Sequence, residues 1–182
     1  APIEFSDSVG MPFKEGLAFT YDTLLGFDLK KHITLLASGK VFTGFHILRA
    51  MALGADATYS ARAMMLALGC IQALECNKNS CPTGVATQNP ELVAGLVVSD
   101  KKQRVANFHH KTIHSVQELL GAAGLTSTHQ INRQHIFRRT SLNEVRRYSQ
   151  IFPYLNTGSL LSAETVPENW RAEWDLASAE RF

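Results

Sequence analysis

Two short apolar runs separated by one helix-like stretch restrict what this chain can become. Ile33-Thr34-Leu35-Leu36-Ala37 ends at Ser38-Gly39-Lys40, and Ala57-Thr58-Tyr59-Ser60 follows later. Runs of this kind read as strands buried on both faces, typical of parallel sheets. Between them Thr43-Gly44 opens a helix with Phe45, Leu48, Met51 and Ala52 on one face, and Gly54-Ala55-Asp56 stops it. A further helix runs from Ala61 to Leu74 and delivers Cys70 near its end. Strand–helix–strand–helix over 33–74 is the crossover that parallel strands require. Two such strands cannot cover their own edges or faces, so more strands must come from elsewhere. The chain starts at Ala1 without methionine. We expect it to be a piece of a larger protein.

All three cysteines fall in one stretch, Cys70 to Cys81, spaced C-x5-C-x4-C, with Pro82 after the last. An odd number rules out a complete set of disulfides within the chain. Three thiolates so close together look like a metal or iron–sulfur site, and a Cys-Pro terminus recurs in iron–sulfur runs. Three protein ligands suit a three-iron cluster, or a four-iron cluster with one open position. Two plainer readings stand beside it. Cys70 alone fits a small buried apolar residue at a helix end. Zinc prefers four ligands in closer pairs, and no histidine lies nearby in sequence. Thr83 to Gln88 reads as a tight loop wrapping the site, broken by Asn89-Pro90.

The two strand ends, brought side by side, present Ser38-Gly39-Lys40 through Thr43-Gly44 and Tyr59-Ser60-Ala61-Arg62. Glycines let backbone approach a ligand, helix starts attract phosphate, and Lys40 or Arg62 can add charge-assisted bonds. In a (β/α)8 barrel the last two strand ends commonly form such a phosphate site. The plain alternative is that Gly39 and Gly44 are ordinary turn residues.

The remaining chain is mostly helical by pattern. Pro2, Ser6, Asp7, Ser8 and Gly10 mark an opening turn. A helix from Met11 to Leu25 ends at Gly26 in a left-handed cap. Lys101 to Leu120 is a long amphipathic helix, ended by Gly121 and Gly124, with His110 and His114 exposed on it. Ser127-x-x-Gln130 and Ser141-x-x-Glu144 fit capping boxes, each opening a short helix, the second closed by Pro153. Arg133, Arg138, Arg139, Arg146 and Arg147 read as solvated helix faces. Trp170 and Trp174, four apart, would pack a terminal helix onto the body.

A net charge of +2 gives no argument for nucleic acid. No run of 18 apolar residues exists, so no membrane span is expected, and no secretory signal is visible. Thiols meant for metal suit a reducing cytoplasm.

Four blocks carry a family likeness. They are Ser38-Gly39-Lys40-Val41-Phe42-Thr43-Gly44, Gly54-Ala55-Asp56, Ala67-Leu68-Gly69-Cys70, and Cys76 with Cys81-Pro82-Thr83-Gly84-Val85-Ala86-Thr87-Gln88. From 33 to 90 the sequence resembles the FMN-binding synthase domain of glutamate synthases. It resembles more closely the shorter FMN-binding glutamate synthase-related proteins of bacteria and archaea. The likeness runs from Ala1 to about Leu125, with Ala1-Pro2 similar to the end of a glycine-rich loop before the sixth barrel helix.

This resemblance implies an α/β fold, the C-terminal part of a TIM-type (β/α)8 barrel followed by a mostly helical extension. Residues 33–38 would be its seventh strand and 56–60 its eighth. The implied divisions are 1–90 for the barrel part with the cysteine loop, 91–155 for the helical extension and 156–182 for a tail. It further implies FMN, its phosphate held by Ser38, Gly39, Lys40, Thr43, Gly44, Ser60, Ala61 and Arg62. A 3Fe-4S cluster would be held by Cys70, Cys76 and Cys81.

The implied reaction of the whole protein forms glutamate from 2-oxoglutarate and ammonia or glutamine nitrogen. FMN would pass electrons from the cluster, supplied by ferredoxin or an NAD(P)H-linked subunit. No catalytic acid or base is identified, and the groups meeting the flavin ring are expected on the missing strands. Large-subunit glutamate synthases have an aspartate and a glycine at positions 38 and 40. They have glycines at 59 and 61 and a threonine at 62, so this chain departs from them around the phosphate. The family's glutaminase domain has no counterpart in these residues. From a different class, the chain could be a non-catalytic iron–sulfur or structural fragment completing a barrel supplied by another chain.

Overall fold

The structure, a computed structural model, describes residues 9–180. Pro2, Ser6, Asp7 and Ser8 of the opening turn, and the Ala1-Pro2 match, lie outside them. The fold is mixed α/β, with few, short strands and many helices. Its described residues divide into two compact units, each discontinuous in sequence: residues 9–37, 50–57 and 132–180, and residues 38–49 and 58–131.

In the first unit, α1 (Phe13–Gly26) buries Ala18, Asp22 and Gly26, a line at i, i+4 spacing. Gly26 is not the left-handed end that its sequence suggests. It sits inside the last turn, where a Cβ would run into the Leu160 side chain, and its carbonyl accepts the Leu160 N–H at 2.9 Å. Close packing, rather than backbone conformation, therefore uses this glycine. A 3-10 turn at Lys30–His32 follows, and the Lys30 ammonium pairs with Asp56 at 2.9 Å. Asp56 also accepts the Leu35 N–H at 2.7 Å, while its own N–H donates to the Leu35 carbonyl.

The strand expected over 33–37 shrinks to β1 (Leu36–Ser38), and its partner is β2 (Ala57–Tyr59). Burial on both faces is not observed: only Ala37 of β1 is buried, and β2 has no buried residue. The physical reason is that, among the described residues, the sheet holds just these two strands, which leaves most of its surface uncovered.

Arg133 is the main correction to the sequence reading. It lies on no solvated helix face; its side chain is 0% exposed. Its Nη1 donates to Asp22 Oδ2 and to the Phe152 carbonyl, both at 2.9 Å, and Nη2 donates to the Leu53 carbonyl at 3.3 Å. The guanidinium stacks over the Tyr154 ring at 4.2 Å and also faces Tyr21. The partners come from three separated chain segments and offset most of the cost of burying the cation, though Arg133 Nε has no hydrogen-bond partner among the described residues. Burial pushes the Asp22 carboxyl above its ordinary range, against the opposing pull of Arg133.

Arg138, Arg139, Arg146 and Arg147 are exposed as expected, but on a hairpin rather than helices. β3 (Phe137–Arg139) pairs antiparallel with β4 (Val145–Arg147), Arg138 opposite Arg146. The Ser141-x-x-Glu144 pattern forms the hairpin turn, with the Thr140 N–H donating to the Glu144 carbonyl. A short α6 (Tyr148–Ile151) follows. The tryptophans pack as expected: Trp170 stacks on Phe19 with ring centroids 4.7 Å apart. Trp174, on α7 (Arg171–Leu176), donates Nε1–H to the Leu160 carbonyl.

In the second unit, the helix expected from Ala61 to Leu74 is only α3 (Arg62–Leu68). Gly69 at φ +110 stops it in the left-handed region, so Cys70 lies past the helix end. Asn89 caps α4 (Pro90–Val93) by accepting the Glu91 N–H, with Pro90 at the first helical position. The long helix is α5 (Val98–Ala122); Gly121 lies within it and Gly124, at φ +72, just beyond. α3 packs against α5, as does the start of α2 (Gly44–Ala52), which runs from this unit into the first. The Ser127–Gln130 capping box forms, on a 3-10 turn rather than a longer helix. Among the described residues no helix is long and apolar enough to cross a membrane.

Candidate functional site

The loop after β1 and the start of α3 enclose a cavity of about 180 Å³ in the second unit. Ser38, Gly39 and Lys40 line one side, Ala61 and Arg62 the other. The lining holds two cations and no carboxylate. The loop is braced from outside the cavity. Ser60 Oγ donates to the Val41 carbonyl at 2.8 Å, and the Phe42 N–H donates to His46 Nδ1 at 3.2 Å. Burial, helped by Arg49, lowers the His46 pKa and keeps the ring available as that acceptor.

Five of the eight predicted phosphate residues, Ser38, Gly39, Lys40, Ala61 and Arg62, therefore line one cavity. The other three have roles in the scaffold. Thr43 Oγ1 accepts the His46 N–H at the start of α2. Ser60 braces the loop. Gly44 is buried against α5, where a Cβ would stand 2.9 Å from Ser115 Oγ and from the Val116 nitrogen. A cavity this size is below the roughly 300–1,000 Å³ of a complete small-molecule pocket.

The cysteine loop lies in the same unit. Cys81 is buried, Cys70 is partly buried and Cys76 is exposed. Cys81 is held for ionisation. The Thr83 hydroxyl lies 3.4 Å from its sulfur, and the Ala86, Thr83 and Val85 N–H groups also favour the thiolate. Together they bring its pKa down to about 7. Gly84 makes the turn at φ +72, packed so closely under α4 that a Cβ would strike the Leu92 carbonyl. Asn79 ties the two arms together by accepting the Gln88 N–H and the Thr87 hydroxyl.

The donor chemistry thus fits an iron–sulfur centre, but the set is not closed. Among the described residues no three His, Cys, Asp or Glu side chains converge as metal ligands. A cluster would have to draw in the exposed Cys76 segment. His110 and His114 are exposed, and His114 faces Glu118 at 3.4 Å.

A conserved region of glutamate synthase matches residues 1–126. The chain belongs to the glutamate synthase family. A glutamate synthase large subunit-like protein of Bacillus subtilis is 38% identical over 136 residues, 75% of this chain and 26% of the relative. The NADPH archaeal glutamate synthase of Methanocaldococcus jannaschii is 40% identical over 146 residues, 79% of this chain and 28% of the relative. A chloroplastic ferredoxin-dependent glutamate synthase of Arabidopsis thaliana is 32% identical over 168 residues, 92% of this chain and 10% of the relative. The chain spans about a quarter of the length of the first two.

Within this glutamate synthase chain, sequence reasoning missed two cations beside the cysteines. A Cβ on Gly69 would lie 3.7 Å from Lys101 Nζ and 3.9 Å from Arg104 Nη1. They place positive charge beside Gly69, where the cysteine loop begins. The signal was present as the Lys101-Lys102-Gln103-Arg104 run at the start of α5. Nothing local ties that run to Cys70.

Proposed function

We propose that the whole protein is an FMN- and iron–sulfur-dependent oxidoreductase of glutamate synthase type. It forms glutamate from 2-oxoglutarate and ammonia or glutamine nitrogen. This chain is the C-terminal part of its TIM-type barrel, contributing the last two strands and the extension after them. The observation that carries the reading is the cavity of two cations and no carboxylate at the strand ends of a glutamate synthase chain.

Lys40, Arg62 and the Ser38–Gly39 backbone would hold the FMN phosphate, with Ala61 closing the side. Thr43, Gly44 and Ser60 would keep that loop in place. Bound there, the flavin supplies the redox chemistry, while the protein orients it and excludes competing reactions. Cys70, Cys76 and Cys81 would be the cluster ligands, with Cys81 presented as a thiolate. Ferredoxin or an NAD(P)H-linked subunit would be the electron donor. The remaining strands, and the groups that touch the ring and the substrate, would come from the rest of the protein, in the cytoplasm.

A visible spectrum of anaerobically purified chain, with iron and flavin quantified on the same sample, tests this. About three irons per chain, with broad absorption that bleaches on reduction, supports the cluster. Cys76→Ser should then remove the iron and leave flavin binding unchanged. Iron present before and after that substitution would show that the cysteines are not its ligands. A second reading is an iron–sulfur or structural fragment that completes another chain's barrel. Iron without flavin is its signature.

A further inference from the structure

Two exposed surfaces of the first unit carry opposite charge. The hairpin over 137–147 holds four arginines and one acid, Glu144. Residues 161–180 hold five acids, Glu164, Glu168, Glu173, Asp175 and Glu180, and one cation, Arg171. All five acids are exposed, and among the described residues none of their carboxylates has a hydrogen-bond or ion-pair partner. The two surfaces therefore do not neutralise each other within the chain.

Both are held in place. β4 runs directly into α6, where Tyr148 is buried and its N–H donates to the Ile136 carbonyl at 2.8 Å. Trp170 and Trp174 fasten α7 through Phe19 and the Leu160 carbonyl. Groups fixed in advance lose little freedom on meeting a partner.

The pairing register sorts the hairpin by face. Phe137 lies opposite Arg147 and Arg139 opposite Val145. Residues two apart on a strand share a face. One face therefore carries Phe137, Arg139, Val145 and Arg147, and the other carries Arg138 and Arg146. On the first, Phe137 is 56% exposed and Val145 50%. The Arg147 guanidinium lies over the Phe137 ring, 5.4 Å from its centroid. Aromatic groups and arginines are enriched where interfaces are buried most deeply. α7 offers the counterpart. Leu176 is 71% exposed, and Glu173 stands three residues before it on the same side of the helix.

We infer that a second copy of this chain docks here, the Phe137–Arg147 face of one copy against the Glu173–Leu176 face of the other. The apolar residues meet in the middle, and arginines face carboxylates around them. Two-fold symmetry makes the contact twice, hairpin to α7 and α7 to hairpin. An unrelated acidic partner would satisfy the hairpin and leave the acids of 161–180 without cations. A second copy satisfies both.

The test is sedimentation of the full 182-residue chain at about 50 and 500 mM NaCl. A dimer at low salt, weakened about tenfold or more at high salt, is expected. Arg139→Glu with Arg147→Glu should be monomeric alone, and so should Glu173→Lys with Asp175→Lys. Mixed in equal amounts, the two variants should restore the dimer, because each reversed surface again faces its opposite. The neutral pair Arg139→Gln with Arg147→Gln should weaken the wild-type dimer about tenfold. Lys102→Glu with Lys111→Glu, an equal change of charge on α5, should sediment as wild type. A monomeric wild type overturns the inference and leaves the hairpin to an unrelated acidic partner. Reversed variants that fold, by far-UV circular dichroism, and stay monomeric when mixed also overturn it. So does unchanged affinity in the neutral pair, whether or not the reversed chains fold. Loss of the dimer in the α5 variant would make net charge the cause and overturn it too.

Discussion

Arg133 in one unit and the Lys40–Arg62 pair in the other are opposite uses of positive charge. Arg133 is fully enclosed, paired with a buried carboxylate and hydrogen-bonded to carbonyls from distant segments. Lys40 and Arg62 are exposed, and their cavity contains no carboxylate. A cation matched inside the fold holds architecture together. Under the proposed function, two cations on a cavity lined by no acid would meet an anionic ligand. Net composition shows neither arrangement.

The comparison can be broken at Arg133 first. Arg133→Ala should destabilise the chain by about 3–5 kcal/mol in urea unfolding, because Asp22 is left as an unpaired buried charge. The double substitution Asp22→Leu with Arg133→Met should cost less than Arg133→Ala alone. A double variant equally unstable would mean that packing, not charge pairing, sets the cost.

The second unit is probed at its tightest contact. Gly44→Ala should cost about 1–3 kcal/mol, since the new methyl meets the α5 backbone at Val116, which cannot rotate away. Gly26→Ala should cost less, as Leu160 can shift and alanine favours the helix. Equal costs would show that α2 and α5 adjust freely.

Acidity should sort the two units by sign. The His46 pKa is lowered in the fold, so its contribution is present above the ordinary value of 6.5 and is lost as pH falls through the folded value. The Asp22 pKa is raised, so its contribution is present below 3.8 and is lost as pH rises through the folded value. Melting temperatures against pH should flatten in the first window for His46→Gln and in the second for Asp22→Asn. The same slope in wild type and variant would reject the assignment for that residue.

The smallest effect is expected at Arg138→Ala, within about 0.5 kcal/mol, because the side chain is exposed on the hairpin. A loss comparable to that at Arg133 would erase the distinction.

These arginines also show where sequence reading stops. Arg133 and Arg138 look alike in a local window, and the main partner of Arg133 lies 111 residues away. No period or cap can report such a contact. The amphipathic helices α1 and α5 were legible because their burial repeats along one face. The end of α3 was misread: Gly69 stops the helix after Leu68, whereas the sequence reading carried it to Leu74. At the candidate site, residue types and spacing picked out Lys40 and Arg62, which line one cavity, and three cysteines that do not converge as metal ligands among the described residues. The bracing by Ser60 and His46, and the Lys101–Arg104 flank of Gly69, depend on contacts between segments and were not legible.

The long separation between Asp22 and Arg133 also has a consequence in time. A ribosome adding about 5–20 residues per second makes the carboxylate roughly 6 to 22 s before the guanidinium that neutralises it. During that interval all residues of the second unit are made, while the helix bearing Asp22 waits for its partner. The segment bearing Asp22 must therefore be sheltered longer than the segment bearing Arg133, and a pause in translation before Arg133 would lengthen its exposure to proteases.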